Sequence, residues 1–155
     1  MTTGPDLGGT RPARDVFKDY LNTFDDIVRR SGATFKKWDR ADLAGYNAAA
    51  CGVHSREDGR LYTRQIEGGP VPDPDAAIAD MKAYWESKGY TIGNIFTNMG
   101  GNTSGRQINA TTPTGILVQF TPGKEQSTIK VKSDCTLDPK ARETTTATSP
   151  LEPGA

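Results

Sequence analysis

Long apolar runs are what this sequence of 155 residues most plainly lacks. None approaches the roughly 18 consecutive apolar residues of a membrane-spanning helix, so no such helix is expected. Histidine is almost missing: His54 stands alone, and there are 2 cysteines, Cys51 and Cys135. Neither sign of charge is in excess, with 19 basic residues against 19 acidic ones. A nucleic-acid partner would favour a concentrated basic surface, and none is expected here. Only 34% of the residues are hydrophobic and the mean hydropathy is −0.61, so the core must be small. The first residues lack the basic and apolar pattern of an export signal. The chain is then either cytosolic or a mature protein whose signal has been removed.

The stretch from Tyr90 to Cys135 organises the rest, because it reads as four short strands with turns between them. In the last of them Ile129, Val131, Ser133 and Cys135 share one face, while Thr128, Lys130, Lys132 and Asp134 share the other. That period of two is the mark of a half-buried strand. Ile116, Val118 and Phe120 alternate in the same way with Leu117, Gln119 and Thr121. Pro122-Gly123 predicts a turn with positive φ at the glycine. Ile108 and Ala110 mark a strand over 106–112, closed towards Ile116 by Pro113-Thr114-Gly115. Gly93 interrupts the first strand, over 90–98, and predicts a bulge there. Connections this short imply antiparallel neighbours.

Upstream, Val16, Phe17, Tyr20, Leu21, Phe24, Ile27 and Val28 form the apolar stripe of a helix, and Ser31-Gly32 supplies its stop. Phe35 and Trp38 read as anchors on an extended piece. The alanine-rich run 44–50 suggests a short helical turn before Cys51. Leu61–Ile66 reads as a strand, opening after a turn at Glu57-Asp58-Gly59 and ending at Gly68-Gly69-Pro70. A second helix opens with Asp73 as N-cap and Pro74 at its first position. Ile78, Met81 and Trp85 form its buried side, and Lys88-Gly89-Tyr90 ends it with Tyr90 folded back on Trp85. The expected fold is α+β: two helices on one face of an antiparallel sheet, in the order α-β-α-β-β-β-β, ending in a four-strand meander. One domain over 13–137 follows, between a flexible lead (1–12) and a disordered Thr/Pro-rich tail (138–155). A monomer is expected.

Cys51 and Cys135 could form a disulfide closing a long loop, or remain two separate buried thiols. A further clue lies in the order of motifs: the amphipathic helix, Ser31-Gly32 and Trp38, a central Cys51, the helix ending Tyr84-Trp85-Glu86-Ser87-Lys88-Gly89-Tyr90, and the meander closing on Ser133-Asp134-Cys135. Over residues 13–136 this resembles the mature domains of actinobacterial cell-envelope lipoproteins, the mycobacterial LppA-like group among them. The chain departs from them in having no signal sequence and no lipid-acceptor cysteine at its start. A chain beginning just after that cysteine would match, with the flexible lead as tether. The resemblance implies a Cys51–Cys135 disulfide and transfers no catalytic residue.

No constellation for chemistry emerges. Cys51 and His54 have the spacing of two metal ligands, but a closed zinc site takes four ligands and no second pair exists. As a nucleophile pair they would need an exposed, low-pKa thiolate, so a solvated loop histidine is the reading adopted. Gly100-Gly101-Asn102-Thr103-Ser104-Gly105 has the composition of a phosphate cradle but stands between strands rather than before a helix. It reads as a hairpin tip, exposed and able to touch a partner through Asn102 and Thr103. Asp25, Asp26, Asp39 and Asp42 read as solvated carboxylates rather than an acid/base pair. Trp38, Tyr84, Trp85 and Tyr90 read as core, with Trp38, Tyr84 and Trp85 kept as candidate ligand or partner contacts.

The function expected is therefore non-enzymatic, with no cofactor and no metal: an extracytoplasmic binding or interaction domain of a lipoprotein-like envelope protein. Its partner would be an envelope protein or lipid, with a membrane tether through a removed N-terminal lipid anchor. Two alternatives stand beside it. One is a carrier holding a lipid or small apolar ligand between helices and sheet, and the other a phage- or host-encoded protein acting at the envelope.

Overall fold

Apolar side chains that recur every three to four positions make Ala13–Arg30 a helix, α1. In the computed structural model, which describes residues 11–36, 38, 47–53, 56–96 and 106–138, Val16, Phe17, Tyr20, Leu21, Phe24 and Ile27 are all buried. Val28 packs against the same cluster from a half-buried position. The helix stops at Ser31, and Gly32 follows at φ 77°, a conformation that favours glycine. Its other end has no local cap, since Pro12 offers no side-chain acceptor. Asp138 fills that role from the far end of the chain, where its Oδ2 accepts from the Ala13 N–H at 2.8 Å. Such caps contribute about 1 kcal/mol.

The second helix, α2, spans Pro74–Ser87. Asp73 caps it by accepting from the Ala76 N–H, and Pro74 takes the first position. Ile78, Met81 and Trp85 are buried. Gly89 adopts φ 83°, and the Tyr90 N–H then donates to the Trp85 carbonyl while the two rings stack 6.0 Å apart.

Six strands form one antiparallel sheet: β1 Asn47–Val53, β2 Arg56–Gly68, β3 Thr91–Phe96, β4 Gln107–Thr111, β5 Leu117–Thr121 and β6 Ser127–Lys132. The spatial order is β1-β2-β6-β5-β4-β3, so the last four strands are a meander, with β2 and β1 added beside β6. Tyr62, Ile66, Ile108, Ala110, Val118, Phe120, Ile129 and Val131 point to one side and are buried there with the stripes of both helices. The expected α+β fold, two helices on an antiparallel sheet, is what forms. The expected bulge on β3 also forms, as a register shift between Ile92 and Ile95.

Four local readings change. The alanine-rich segment is strand where it is described: Ala48 pairs with Tyr62 and Ala50 with Arg60. Alanine's helix preference is below 1 kcal/mol per residue, too little against a continuous ladder with β2. Glu57-Asp58-Gly59 is no turn but part of β2, with Gly59 opposite Cys51. A glycine is needed there for space, because an added Cβ would stand 2.6 Å from the Cys135 sulfur. Gly123 is not among the described glycines with positive φ, which are Gly32, Gly89 and Gly115. It too is a matter of room, because an added Cβ would collide with the Gln126 carbonyl. Finally, β6 ends at Lys132, so Cys135 lies beyond the ladder rather than on its inner face. Of the expected lead over 1–12, residues 11 and 12 are described and Arg11 is held by Asp134, and of the expected tail over 138–155, Asp138 is described and caps α1; the rest of both, the hairpin tip with Asn102 and Thr103, His54, Asp39 and Asp42 lie outside the described residues.

Candidate functional site

Both helices cover one side of the sheet, and among the described residues no element covers the other, as antiparallel sheets permit. Its side chains follow from the register. One rung across the sheet runs Gln65, Lys130, Gln119, Asn109; the next runs Thr63, Lys132, Leu117, Thr111. A third, on the far side of the first, runs Glu67, Thr128, Thr121, Gln107 and ends at Phe96 of β3. Neighbours on a rung stand about 4.5–5.5 Å apart, close enough for one ligand to touch several. Most of these residues are amides and hydroxyls, with two lysines near the middle, Glu67 at one end, and Leu117 and Phe96 as apolar members.

Two clefts of about 400 Å³ each open on this face. One lies over Asn109, Thr111, Leu117 and Gln119, beside the β3 bulge at Gly93 and Asn94. The other lies over Ala49, Cys51, Leu61 and Thr63. Lys130 and Lys132 border both. Some of the polar side chains are already oriented: the Thr121 hydroxyl donates to Gln107 Oε1 at 3.2 Å, and Gln107 Nε2 donates to Asn109 Oδ1 at 3.4 Å. With its oxygen engaged, the Asn109 amide nitrogen keeps its donors for something else. Leu117, 46% exposed, and Phe96, 44% exposed, are apolar spots on the face.

A third cleft, of about 700 Å³, borders the end of β2 at Lys36, Arg64, Glu67 and Gly68. Its charge is mixed, and Arg64 already lies over the Trp38 ring at 5.7 Å. It is the weaker candidate for a charged ligand.

Two groups of charges among the described residues hold elements together. Asp26 accepts from the Tyr84 hydroxyl at 2.7 Å and pairs with Arg29 and Lys88, which joins α1 to the end of α2. Burial, followed by that hydrogen bond, raises the Tyr84 pKa above its ordinary 10.0. Arg11 reaches both oxygens of Asp134, at 3.2 and 3.1 Å, and pairs with Asp19. The Thr136 hydroxyl donates to the Arg11 carbonyl. The start of α1 is thereby fastened to the end of the meander.

Asp134 is buried, and desolvation raises its pKa above the ordinary 3.8 although Arg11 pulls the other way. A folded-state pKa raised above the unfolded one gives stability at low pH that is lost as pH rises through the folded value. Asp134→Asn, which removes the ionisation, should therefore gain stability relative to the natural protein as pH rises from below 4 to neutral. Urea unfolding of both proteins across that range checks this; a relative stability that falls with pH would refute it.

Three of the residues singled out from sequence are brought together neither with one another nor with the open face. Trp38 stacks on Phe24 at 4.3 Å and donates to Asp25. Tyr84 is occupied by Asp26. Trp85 is 0% exposed, which removes it from any surface, because it fills the space between α2 and the sheet. Cys51 and Cys135 are bonded to each other, with Cα atoms 6.0 Å apart. The residues that sequence reading passed over are Lys130, Lys132 and Gln119, and Asn109 stood out there only within the glycosylation pattern Asn109-Ala110-Thr111. Their outward phase is visible in the alternation, but only the register aligns them across strands.

Among the described residues no group of three or more His, Cys, Asp or Glu could hold a metal ion. No helix there is long and apolar enough to cross a membrane.

No protein-family model matches the sequence, and no curated protein matches it. Among solved structures, the fold is similar to that of a DUF4853 family protein from Actinomyces odontolyticus, with a TM-score of 0.57 at 10% identity. The match covers 81% of this chain and 69% of that one. At that identity the likeness is one of fold, to an actinobacterial protein. The disulfide fits an oxidising, extracytoplasmic environment, where such bonds form and persist.

Proposed function

We propose that this is a non-enzymatic binding domain of the actinobacterial cell envelope, of the lipoprotein-like kind, which recognises its partner through the helix-free face of the sheet. The observation that carries the reading is that face: a mainly polar field with two exposed lysines, interrupted by Leu117 and Phe96, on a molecule whose Arg11–Asp19–Asp134 and Asp26–Arg29–Lys88 groups form internal clasps. The disulfide supports the compartment. A tether through an N-terminal lipid belongs to the same reading, as does the kinship with LppA-like proteins. The carrier alternative is less well supported, because Phe17, Tyr20, Phe24, Tyr62, Trp85 and Phe120, all fully buried, fill the space between helices and sheet.

Alkylating thiols at the moment of lysis tests the compartment. In cells expressing the full-length gene, Cys51 and Cys135 should resist labelling until reduced. A fully labelled pool in the untreated sample would overturn export.

A further inference from the structure

Building on the helix-free face as the recognition surface, we infer that its ligand is an anionic, hydroxyl-rich polymer: a glycan or polyol chain carrying phosphate or carboxylate groups. Its charges lie on Lys130 and Lys132, and its hydroxyls meet the amides of Asn109 and Gln119.

Charge sets the sign. The two lysines are two residues apart on β6, roughly 6.5–7 Å along the strand, and both are exposed. Neither has an ion pair among the described residues, whereas Asp19, Asp26, Asp75, Glu86 and Asp134 each pair with an arginine or lysine elsewhere. On the three rungs Glu67 is the one carboxylate. These rungs therefore carry two lysines against one carboxylate, on a chain of zero net charge.

Composition sets the rest. A simple anion needs donors only, but Asn and Gln side chains both donate and accept, which suits a ligand whose hydroxyls do the same. The Thr121–Gln107–Asn109 chain of hydrogen bonds holds one such amide ready. Leu117, exposed beside Lys132, can meet the C–H surface of a sugar ring. An extended acidic peptide fits less well, since peptides that bind as strands add to a free sheet edge. The strands carrying these residues, β4, β5 and β6, are each hydrogen-bonded on both sides.

The test is a titration of the purified full chain, followed by backbone amide chemical shifts, with poly(glycerol phosphate), polygalacturonate, neutral dextran and polyglutamate. At least one of the first two should bind and shift resonances around Lys130 and Gln119, and the stronger of them identifies phosphate or carboxylate as the group read. Dextran and polyglutamate should bind about tenfold more weakly or less. Lys130→Gln with Lys132→Gln, both surface changes that should leave the thermal midpoint in place, should weaken the anionic polymer about tenfold, and added salt should do the same in direction. Equal binding of dextran or polyglutamate, or no binding of either anionic polymer, overturns the ligand class and leaves the face as the recognition surface. Binding whose shifts fall on α1 and α2 overturns the face itself.

Discussion

Replacing Cys51 and Cys135 together with alanine should lower the free energy of unfolding by about 4–5 kcal/mol. The bond joins residues 84 apart in sequence, so reducing it releases a long loop in the unfolded chain, and the entropy regained there grows with the logarithm of that length. A domain of this size typically has only about 5–15 kcal/mol in total, and here the hydrophobic content is 34%. The bond also has a local task. It fastens β1, which among the described residues is an edge strand paired with β2 alone, to the segment that follows β6. Beside it Arg60 and Thr136 exchange backbone hydrogen bonds at 2.9 Å. Without the bond, β1 should fray first, before the meander. Urea unfolding gives the magnitude, and amide exchange gives the order of opening. A loss below about 1 kcal/mol, or simultaneous exchange across β1 and β5, would show that the crosslink is incidental to the fold.

The parts of this structure legible in the sequence are those whose information is local. The stripe of α1, the Asp73-Pro74 opening of α2, the glycine stops at Gly32 and Gly89, and the alternation of β4 to β6 each depend on residues within a few positions of one another. What escaped depends on partners far away. Nothing between residues 47 and 53 announces a strand, since β1 exists through its ladder with β2 and its bond to Cys135. Gly59 looks like a turn residue until the sulfur beside it is known. Asp138, read as the start of a disordered tail, caps a helix 125 residues earlier. The candidate site has the same character. Each of Lys130, Gln119 and Asn109 is predictably outward, but the rung they share is a property of three strands in register.

Trp85→Ala should cost about 3–5 kcal/mol, the usual range for deleting a large buried aromatic, and should leave ligand binding on the outer face unchanged in the fraction that stays folded. The side chain is fully buried, stacks on Tyr90 and belongs to the single cluster that joins both helices to the sheet. Removing it leaves a cavity that the rigid backbone of α2 and β4 can close only in part. Trp85→Phe separates packing from polarity. Among the described residues Trp85 Nε1 has no hydrogen-bond partner, and a buried N–H without a partner costs about 1–3 kcal/mol. Phenylalanine keeps most of the ring contact and removes that donor, so its cost should be well below that of alanine. Urea unfolding of the two variants, with the polymer titration repeated on each, decides the matter. If Trp85→Phe were as damaging as Trp85→Ala, the indole nitrogen would be engaged in holding the structure. If either variant lost binding while remaining folded, the tryptophan would belong to a recognition surface and the helix-free face would lose its claim.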